Sequence, residues 1–521
     1  MSPDGRPASG RAWTARRTID GPMSSEPSIG PGAGSRASAG DDGGALGTKA
    51  LRGSLWNLVA FGLNKGAVLV TTVVVTRLLT AEELGVWSLA LVVLSYVDLF
   101  NEFGLGTAIV HHRDRSHRPA DVAFGLSIVI GAVFSVVGFI TAPLVAQLLG
   151  EEELTGVLRL LSVVYVLASF YQVQHGLLAR ELQFHRRVPP ELARSLTKAI
   201  VAIWLAAEGF GAYSLVWAQI AATIVGVIGY WIVTPWRPRP VIDFSLSRSL
   251  LGYGGQIVLI GLMGQAAQNV DYIFISREIG TAAVGVYTVA FRLPELVVLT
   301  VPVVVGQALV SAYVRLRDRP DELAEALART MRSVASVTVP MGVGLALVAS
   351  DLIEVLFGPR WAESAELLEV LAPATVLMAL AFPVGDLLKA IGRPGTLNLM
   401  VLVRFVVAVL TLWWAARQSL YAVAVVQLGI SAAWLVLNLG MARLVARLSL
   451  GASLRSMVPA AVGALAMTVA VRALQSLWDP TPWIGLVSAA SVGALVYGGV
   501  IWLLDRAWLI EMRGRLQRRI R

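Results

Sequence analysis

Among the ionisable side chains inside mainly apolar stretches are the bases Lys65, Arg194, Lys198, Arg292 and Arg404, and the acids Asp98, Glu102 and Asp271. Guanidinium and ammonium groups bind phosphate oxygens through charge-assisted hydrogen bonds, so the five bases form a candidate substrate-binding set for an anionic headgroup, a diphosphate above all. Arg194 and Lys198 are four residues apart and share one helix face. A carboxylate in apolar surroundings can carry a proton or Na+ or act as a gate, which makes Asp271, Glu102 and Asp98 the candidate ion-coupling or gating set. Asp271 lies in QAAQNVD, beside Gln265, Gln268 and Asn269. The same acids also have a structural use open to them. Asp98 and Glu102 can neutralise Arg194 and Lys198, and Asp271 can pair with Arg292, whereas Lys65 and Arg404 are read as lining a cavity.

Other chemistries are excluded or poorly served. The chain has no cysteine, which removes disulfides, thiolate nucleophiles and cysteine-ligated zinc. Its five histidines are His111, His112, His117, His175 and His185, three of them in one basic loop, so neither a metal site nor a cofactor is expected.

A carrier for buried charges must be built from segments that lipid tolerates. Of 521 residues, 56% are hydrophobic and 15% charged, against about 45–50% and 25% in soluble domains, which reads as a membrane protein. A bilayer core of about 30 Å needs about 20 apolar residues per helix. Stretches of that kind run approximately 54–78, 84–107, 122–148, 157–178, 191–207, 212–233, 250–276, 283–310, 331–350, 367–388, 396–415, 421–442, 456–473 and 484–505. The predicted fold is therefore an all-α polytopic membrane protein of about fourteen transmembrane helices. At 1.5 Å per residue Lys65 lies roughly 16 Å into the first span and Arg404 roughly 12 Å into the eleventh, too deep for easy snorkelling. Arg194 and Lys198 fall nearer the start of the fifth.

Alternate connecting segments hold most of the Lys and Arg, among them HHRDRSHRP, RELQFHRR, WRPRP, RLRDRPDELAEALAR, KAIGRPG and the tail RGRLQRRIR; the other set, TAEEL, GEEELTG, EGFGA and SDLIEVLFGPRWAE, holds few. Cytoplasmic loops carry the basic excess, which places both termini in the cytoplasm. The net charge of +9 then faces anionic lipid headgroups rather than nucleic acid. Loops between spans are too short for an extramembrane catalytic domain, so the protein reads as a transporter and not an enzyme.

Two stretches repeat. TRLLTAEELGVWSLA at 76–90 returns 200 positions later as SREIGTAAVGVYTVA, preserving Arg77, Gly85, Val86 and Ala90 as Arg277, Gly285, Val286 and Ala290. LVAQLLG at 144–150 returns as LIEVLFG at 352–358. Six spans separate the first pair of copies, so the halves have parallel topology. The expected organisation is a disordered cytoplasmic tail over 1–50, an N-terminal lobe over 51–240, a C-terminal lobe over 241–450, an additional helix pair over 451–506 and a basic cytoplasmic tail over 507–521. Two such pseudo-symmetric six-helix lobes suit rocking about a site near the midplane.

The chain resembles the Wzx-type oligosaccharide flippases of the multidrug/oligosaccharidyl-lipid/polysaccharide exporter superfamily. The resemblance runs from residue 48 to about 475 and is carried by KALRGSLWNL, TRLLTAEELGVWSLA, NEFGLGTAIVHHRD, LLARELQFHRR, GFGAYSLVWAQ, TPWRPR, NVDYIFISREIGTAAVGVYTVAFRL, FGPRWAESAELLEVLAP and KAIGRPG, in that order. It implies movement of an undecaprenyl-diphosphate-linked oligosaccharide from the inner to the outer leaflet of a bacterial cytoplasmic membrane by alternating access, coupled to H+ or Na+. Glycosyltransferases and a polysaccharide polymerase are the implied partners. It also matches Glu102 to the acid before a glycine pair, Gly104 and Gly106, and Asp271 to the acid of an N-x-D stretch. Many family members have twelve spans, and the extra pair here is similar to that of the peptidoglycan-precursor flippases. Rival readings are a cation or drug antiporter, whose cavity should be dominated by acids, and a membrane glycosyltransferase or polymerase, which needs a catalytic constellation that the longest external loop, 351–366, does not carry.

Overall fold

In lipid a backbone must satisfy its own N–H and C=O groups, and an uninterrupted apolar stretch does so only as a helix. The computed structural model describes residues 62, 64–101, 118–181, 183–239, 241, 243, 261–262, 264–446, 450–478 and 480–506. Among these no strand occurs. The helices are α1 (64–78), α2 (Ala81–Asn101), α3 (Arg118–Leu149), α4 (Leu154–Arg180), α5 (Phe184–Ala207), α6 (Ala212–Val233), α7 (264–278), α8 (Thr281–Val297), α9 (Thr300–Leu316), α10 (Pro320–Leu347), α11 (Ala349–Phe357), α12 (Ala362–Ala390), α13 (Pro394–Ala416), α14 (Leu420–Ala446), α15 (Leu450–Leu477) and α16 (Pro482–Leu504). Ten helical segments among the described residues are long and apolar enough to cross a membrane. Each of the fourteen expected spans coincides, wholly or in part, with a described helix.

Three elements depart from the sequence reading, each for a local reason. The expected eighth span is two helices. Pro302 has no N–H to give the Val298 carbonyl, so the Val301 N–H takes it at 3.3 Å in a tighter turn and the helix breaks between α8 and α9. The fifth helix starts at Phe184 rather than 191, passing through Pro189 and Pro190. The carbonyls those prolines leave unmatched belong to His185 and Arg186, which are exposed and reach polar surroundings. The connection 351–366, expected as a loop, contains α11 and a 3-10 turn, Pro359–Trp361. Nine residues are too few to cross a bilayer, but Ala349, Ile353, Val355 and Phe357 form a buried stripe that holds the helix down.

Packing separates the helices into two groups. On one side α3 packs with α4, α5 with α6, and α4 with α6; on the other α8, α9, α10 and α14 pack on α12, and α15 packs on α10 and α16. Among the described residues the principal seam between the groups is α2 against α8, the two helices that begin with the repeated sequence. α16 is tied to α10 where the buried Asp505 receives the Arg332 Nε at 2.7 Å and the Tyr497 hydroxyl donates to the Ser336 carbonyl at 2.9 Å.

Candidate functional site

The seam borders a cavity with two compartments. The first, about 170 Å³, lies among α1, α2, α5 and α8, with Thr71, Thr72, Trp87, Ser195, Lys198 and Arg292 in its wall. The second, about 310 Å³, lies among α2, α7 and α8 and is lined by Ser95, Gln265, Gln268, Asn269, Tyr272 and Glu295. Ser88, Leu91, Thr288 and Arg292 belong to both walls. Counted from the ends of α5 and α8 that meet the α1–α2 and α7–α8 turns, hereafter the hairpin end, Lys198 lies about 14 Å deep and Arg292 about 17 Å deep. In a core of about 30 Å both stand near mid-depth. The Lys198 Nζ is 5.6 Å from the centre of the Trp87 ring, a cation–π distance. Arg292 holds Glu295, three residues on, at 2.9 Å, with both side chains partly exposed; such a pair contributes little, and the guanidinium has further N–H donors to offer an incoming anion. Two cations from opposite lobes against one carboxylate leave this wall net positive. On α1, the Asn64 amide donates to the Ser195 hydroxyl at 3.0 Å, and Lys65, half-buried, follows it.

The cavity is closed at the hairpin end by contacts between repeat copies. A side chain on Gly85 would overlap the Thr281 carbonyl, and one on Gly285 would overlap the carbonyl of Ala81. Residues 81 and 281 are themselves equivalent, so one close approach is made twice. The Thr288 hydroxyl donates to the Ser88 hydroxyl at 2.9 Å, a residue meeting its own copy. The second echo is explained with the first. Arg277 donates to the Leu148 carbonyl at 3.0 Å, and Arg77 donates to those of Leu356 at 2.7 Å and Val355 at 2.5 Å. Leu148 and Leu356 are equivalent positions of LVAQLLG and LIEVLFG, in the last turns of α3 and α11. There the backbone carbonyls lack helical partners and the helix dipole is negative. Each repeated arginine therefore caps a repeated helix end in the opposite lobe. Both ends turn away through glycines at positive φ, Gly150 at 76° and Gly358 at 98°, a conformation glycine adopts without cost.

The lock also carries contacts that the repeat does not echo. Arg360 donates to the carbonyls of Thr76, at 2.8 Å, and Arg77, the Thr281 hydroxyl donates to Glu151 at 2.6 Å, and the Ser276 hydroxyl donates to the Leu149 carbonyl at 2.8 Å. Glu83 forms a capping box with Thr80, accepting its N–H at 2.8 Å and hydroxyl at 3.0 Å at the start of α2. Burial, then the carboxylates of Glu151, Glu83 and Glu82, holds the Glu153 carboxyl above its usual range.

The sequence candidates separate into cavity residues and lobe-interior residues. Lys198 and Arg292 line the cavity. Lys198 is not near the start of its helix, because α5 begins seven residues earlier than the apolar stretch. Arg194 lines a different pocket, about 310 Å³, inside the first lobe with His175, Glu191, Gln219 and Thr223. There it stands 3.3 Å from Glu191 and over the Tyr171 ring, while the Tyr230 hydroxyl donates to Glu191 at 2.6 Å. Asp271, 5% exposed, accepts the Tyr287 hydroxyl at 2.8 Å and its neighbour Tyr272's N–H at 3.0 Å. The Asp271–Arg292 pair that equal depth allowed is thus replaced by Asp271–Tyr287 and Arg292–Glu295. Arg404 has surroundings that the sequence did not reveal: it lies over Trp434, 5.2 Å from the ring centre. Glu102 and the Asp98 side chain lie outside the described residues. Trp87, Glu295, Arg360 and the Ser88–Thr288 bond went unread, although the 200-residue offset already related Ser88 to Thr288.

A cation over an aromatic ring is worth about 2 kcal/mol where it is desolvated. Arg404→Leu is therefore expected to lower the unfolding temperature of the detergent-solubilised protein. An unchanged melting curve for Arg404→Leu would remove this structural assignment.

Residues 74–366 match the family model described as "Polysaccharide biosynthesis protein". The succinoglycan biosynthesis transport protein ExoT of Rhizobium meliloti is 26% identical over 87% of this chain and 93% of its own length. The lipopolysaccharide biosynthesis protein WzxC of Escherichia coli is 23% identical over 67% and 71%, and the teichuronic acid biosynthesis protein TuaB of Bacillus subtilis 24% over 57% and 62%. Among solved structures the lipid II flippase MurJ in an inward closed conformation superposes with a TM-score of 0.68 at 13% identity, covering 87% of this chain and 99% of that one. An inward-facing multidrug resistance MATE transporter of the MOP superfamily gives 0.61 at 16%, covering 76% and 95%. At these identities the superpositions establish the fold.

Proposed function

The chain belongs to the polysaccharide biosynthesis protein family, and from that premise we propose that it is a flippase carrying an undecaprenyl-diphosphate-linked oligosaccharide across a bacterial cytoplasmic membrane by alternating access. One observation carries the reading: two cations from opposite lobes, Lys198 and Arg292, line one cavity at mid-depth, and contacts between the lobes lock its hairpin end. Diphosphate oxygens accept hydrogen bonds from both groups, and a headgroup held by both lobes is released when the lobes rock apart. The prenyl tail stays in the bilayer. The excess of Lys and Arg in the opposite loops supports an outward hairpin end, and the lock at that end supports a state closed to the outside. Coupling to a proton or Na+ belongs to Asp271, a carboxylate buried in the helix bundle beside the Tyr287 hydroxyl.

A peptidoglycan precursor is the second reading, favoured by the helix pair α15–α16 and by the likeness to MurJ. A drug antiporter is less well supported, since cations outnumber carboxylates in the cavity wall. The test is purified protein in proteoliposomes with fluorescent undecaprenyl diphosphate carrying one sugar, under imposed H+ or Na+ gradients. Leaflet exchange above protein-free vesicles is expected. Exchange at the protein-free rate under either gradient would overturn the reading.

A further inference from the structure

The cavity wall changes chemistry at Arg292. On the α5 side the polar groups are hydroxyls and the Lys198 ammonium, with Trp87 and aliphatic side chains between them. On the α7 side they are carboxamides and hydroxyls: Gln265, Gln268 and Asn269, one turn of α7, face Ser95 of α2 and Glu295 of α8, with Tyr272 and Phe291 in the same wall. Gln268 is exposed although it lies well inside a transmembrane helix, and the Asn269 amide donates to the Gln265 carbonyl at 3.0 Å, a turn-to-turn bond that fixes the direction of that side chain. Carboxamides are costly to hold in a membrane, and three within five residues mark a surface that meets polar matter.

Resting on the flippase reading, we propose that this compartment is the subsite for the sugar next to the diphosphate and that it takes an uncharged sugar. Each carboxamide both donates and accepts, as each sugar hydroxyl does, so the two match pairwise without a net charge on either. Aromatic side chains supply the apolar surface on which the C–H face of a pyranose rests. The compartment's about 310 Å³ holds one or two rings. Its charged groups, Arg292 and Glu295, already bind each other. A uronate there would oppose the Glu295 carboxylate and compete with the diphosphate for Arg292. Arg292 is the junction, reaching phosphate on one side and holding Glu295 over the sugar on the other.

Three probes separate subsite from flippase: undecaprenyl diphosphate bare, carrying one glucose, or carrying one glucuronate, each titrated against the full-length protein in nanodiscs. Wild type is expected to bind the glucosyl lipid at least about tenfold more tightly than the bare or glucuronyl lipid. Gln265→Leu/Gln268→Leu is expected to reduce glucosyl-lipid affinity to that of the bare lipid, leave bare-lipid affinity unchanged, and melt as the parent does; Gln265→Asn/Gln268→Asn is expected to regain part of the difference. If the double Leu variant binds the glucosyl lipid as wild type does, the sugar subsite is wrong. If wild type binds glucuronyl lipid as tightly as glucosyl, the preference for uncharged sugar is wrong. Failure of wild type to bind any of the three, bare lipid included, would instead sink the flippase reading.

Discussion

Replacing both Lys198 and Arg292 by glutamine is expected to lower proteoliposome translocation by about 100-fold or more while leaving the fold intact. A hydrogen bond to a charged group is worth about 1.5–3 kcal/mol, so losing two from a state that must hold a diphosphate costs at least about two orders of magnitude in rate. Both side chains are half-buried at the cavity wall, where water hydrates what replaces them, so melting should hardly change. That separates them from Arg404, for which stability should fall. Lys198→Arg is expected to retain more transport than Arg292→Lys, because a lysine at 292 loses the planar fork that reaches phosphate and Glu295 at once. Translocation at the parental rate by the double glutamine variant would remove these residues from the substrate path.

The second large effect concerns closure. Gly85→Val is expected to leave the hairpin end open, because its side chain would occupy the space of the Thr281 backbone, which no rotamer change can vacate. Gly285→Val should do the same against Ala81. A penalty of about 2.7 kcal/mol shifts a two-state equilibrium about 100-fold, and backbone overlap costs at least that, so the cycle stalls with the cavity open outward. The chain lacks cysteine, so a single Thr72→Cys in the cavity wall is a unique reporter. A membrane-impermeant maleimide from the hairpin side should label it at least about tenfold faster in either glycine variant than in the Thr72→Cys parent. Equal rates would show that these contacts do not close the cavity.

The sequence announced the helical fold and two residues of the cavity wall, and where it fell short the missing information was relational. Each apolar stretch coincides at least in part with a described helix, because only a helix satisfies its backbone in lipid. Arg77, Arg277 and the two echoed helix ends were visible as repeats, but only three dimensions join the first pair to the second. The burial of Lys65, Arg194, Lys198, Arg292 and Arg404 was legible from their surroundings. Which of them faces a cavity and which a neighbouring aromatic depends on helix rotation, and weakly amphipathic membrane helices encode rotation poorly. The α8–α9 break was written in Pro302, and α11 in a buried stripe too short for a span to notice.

The lock between the lobes has the form of a two-fold dimer contact, in which residue i meets residue j and j meets i: 85 touches 281, 285 touches 81, and 88 meets its own counterpart at 288. At a true two-fold contact one substitution is felt twice, whereas in a single chain each copy varies separately. Arg360 and the Thr80–Glu83 box, present once each, are such unpaired features, and they add to the closed end without altering the symmetric contacts beneath it.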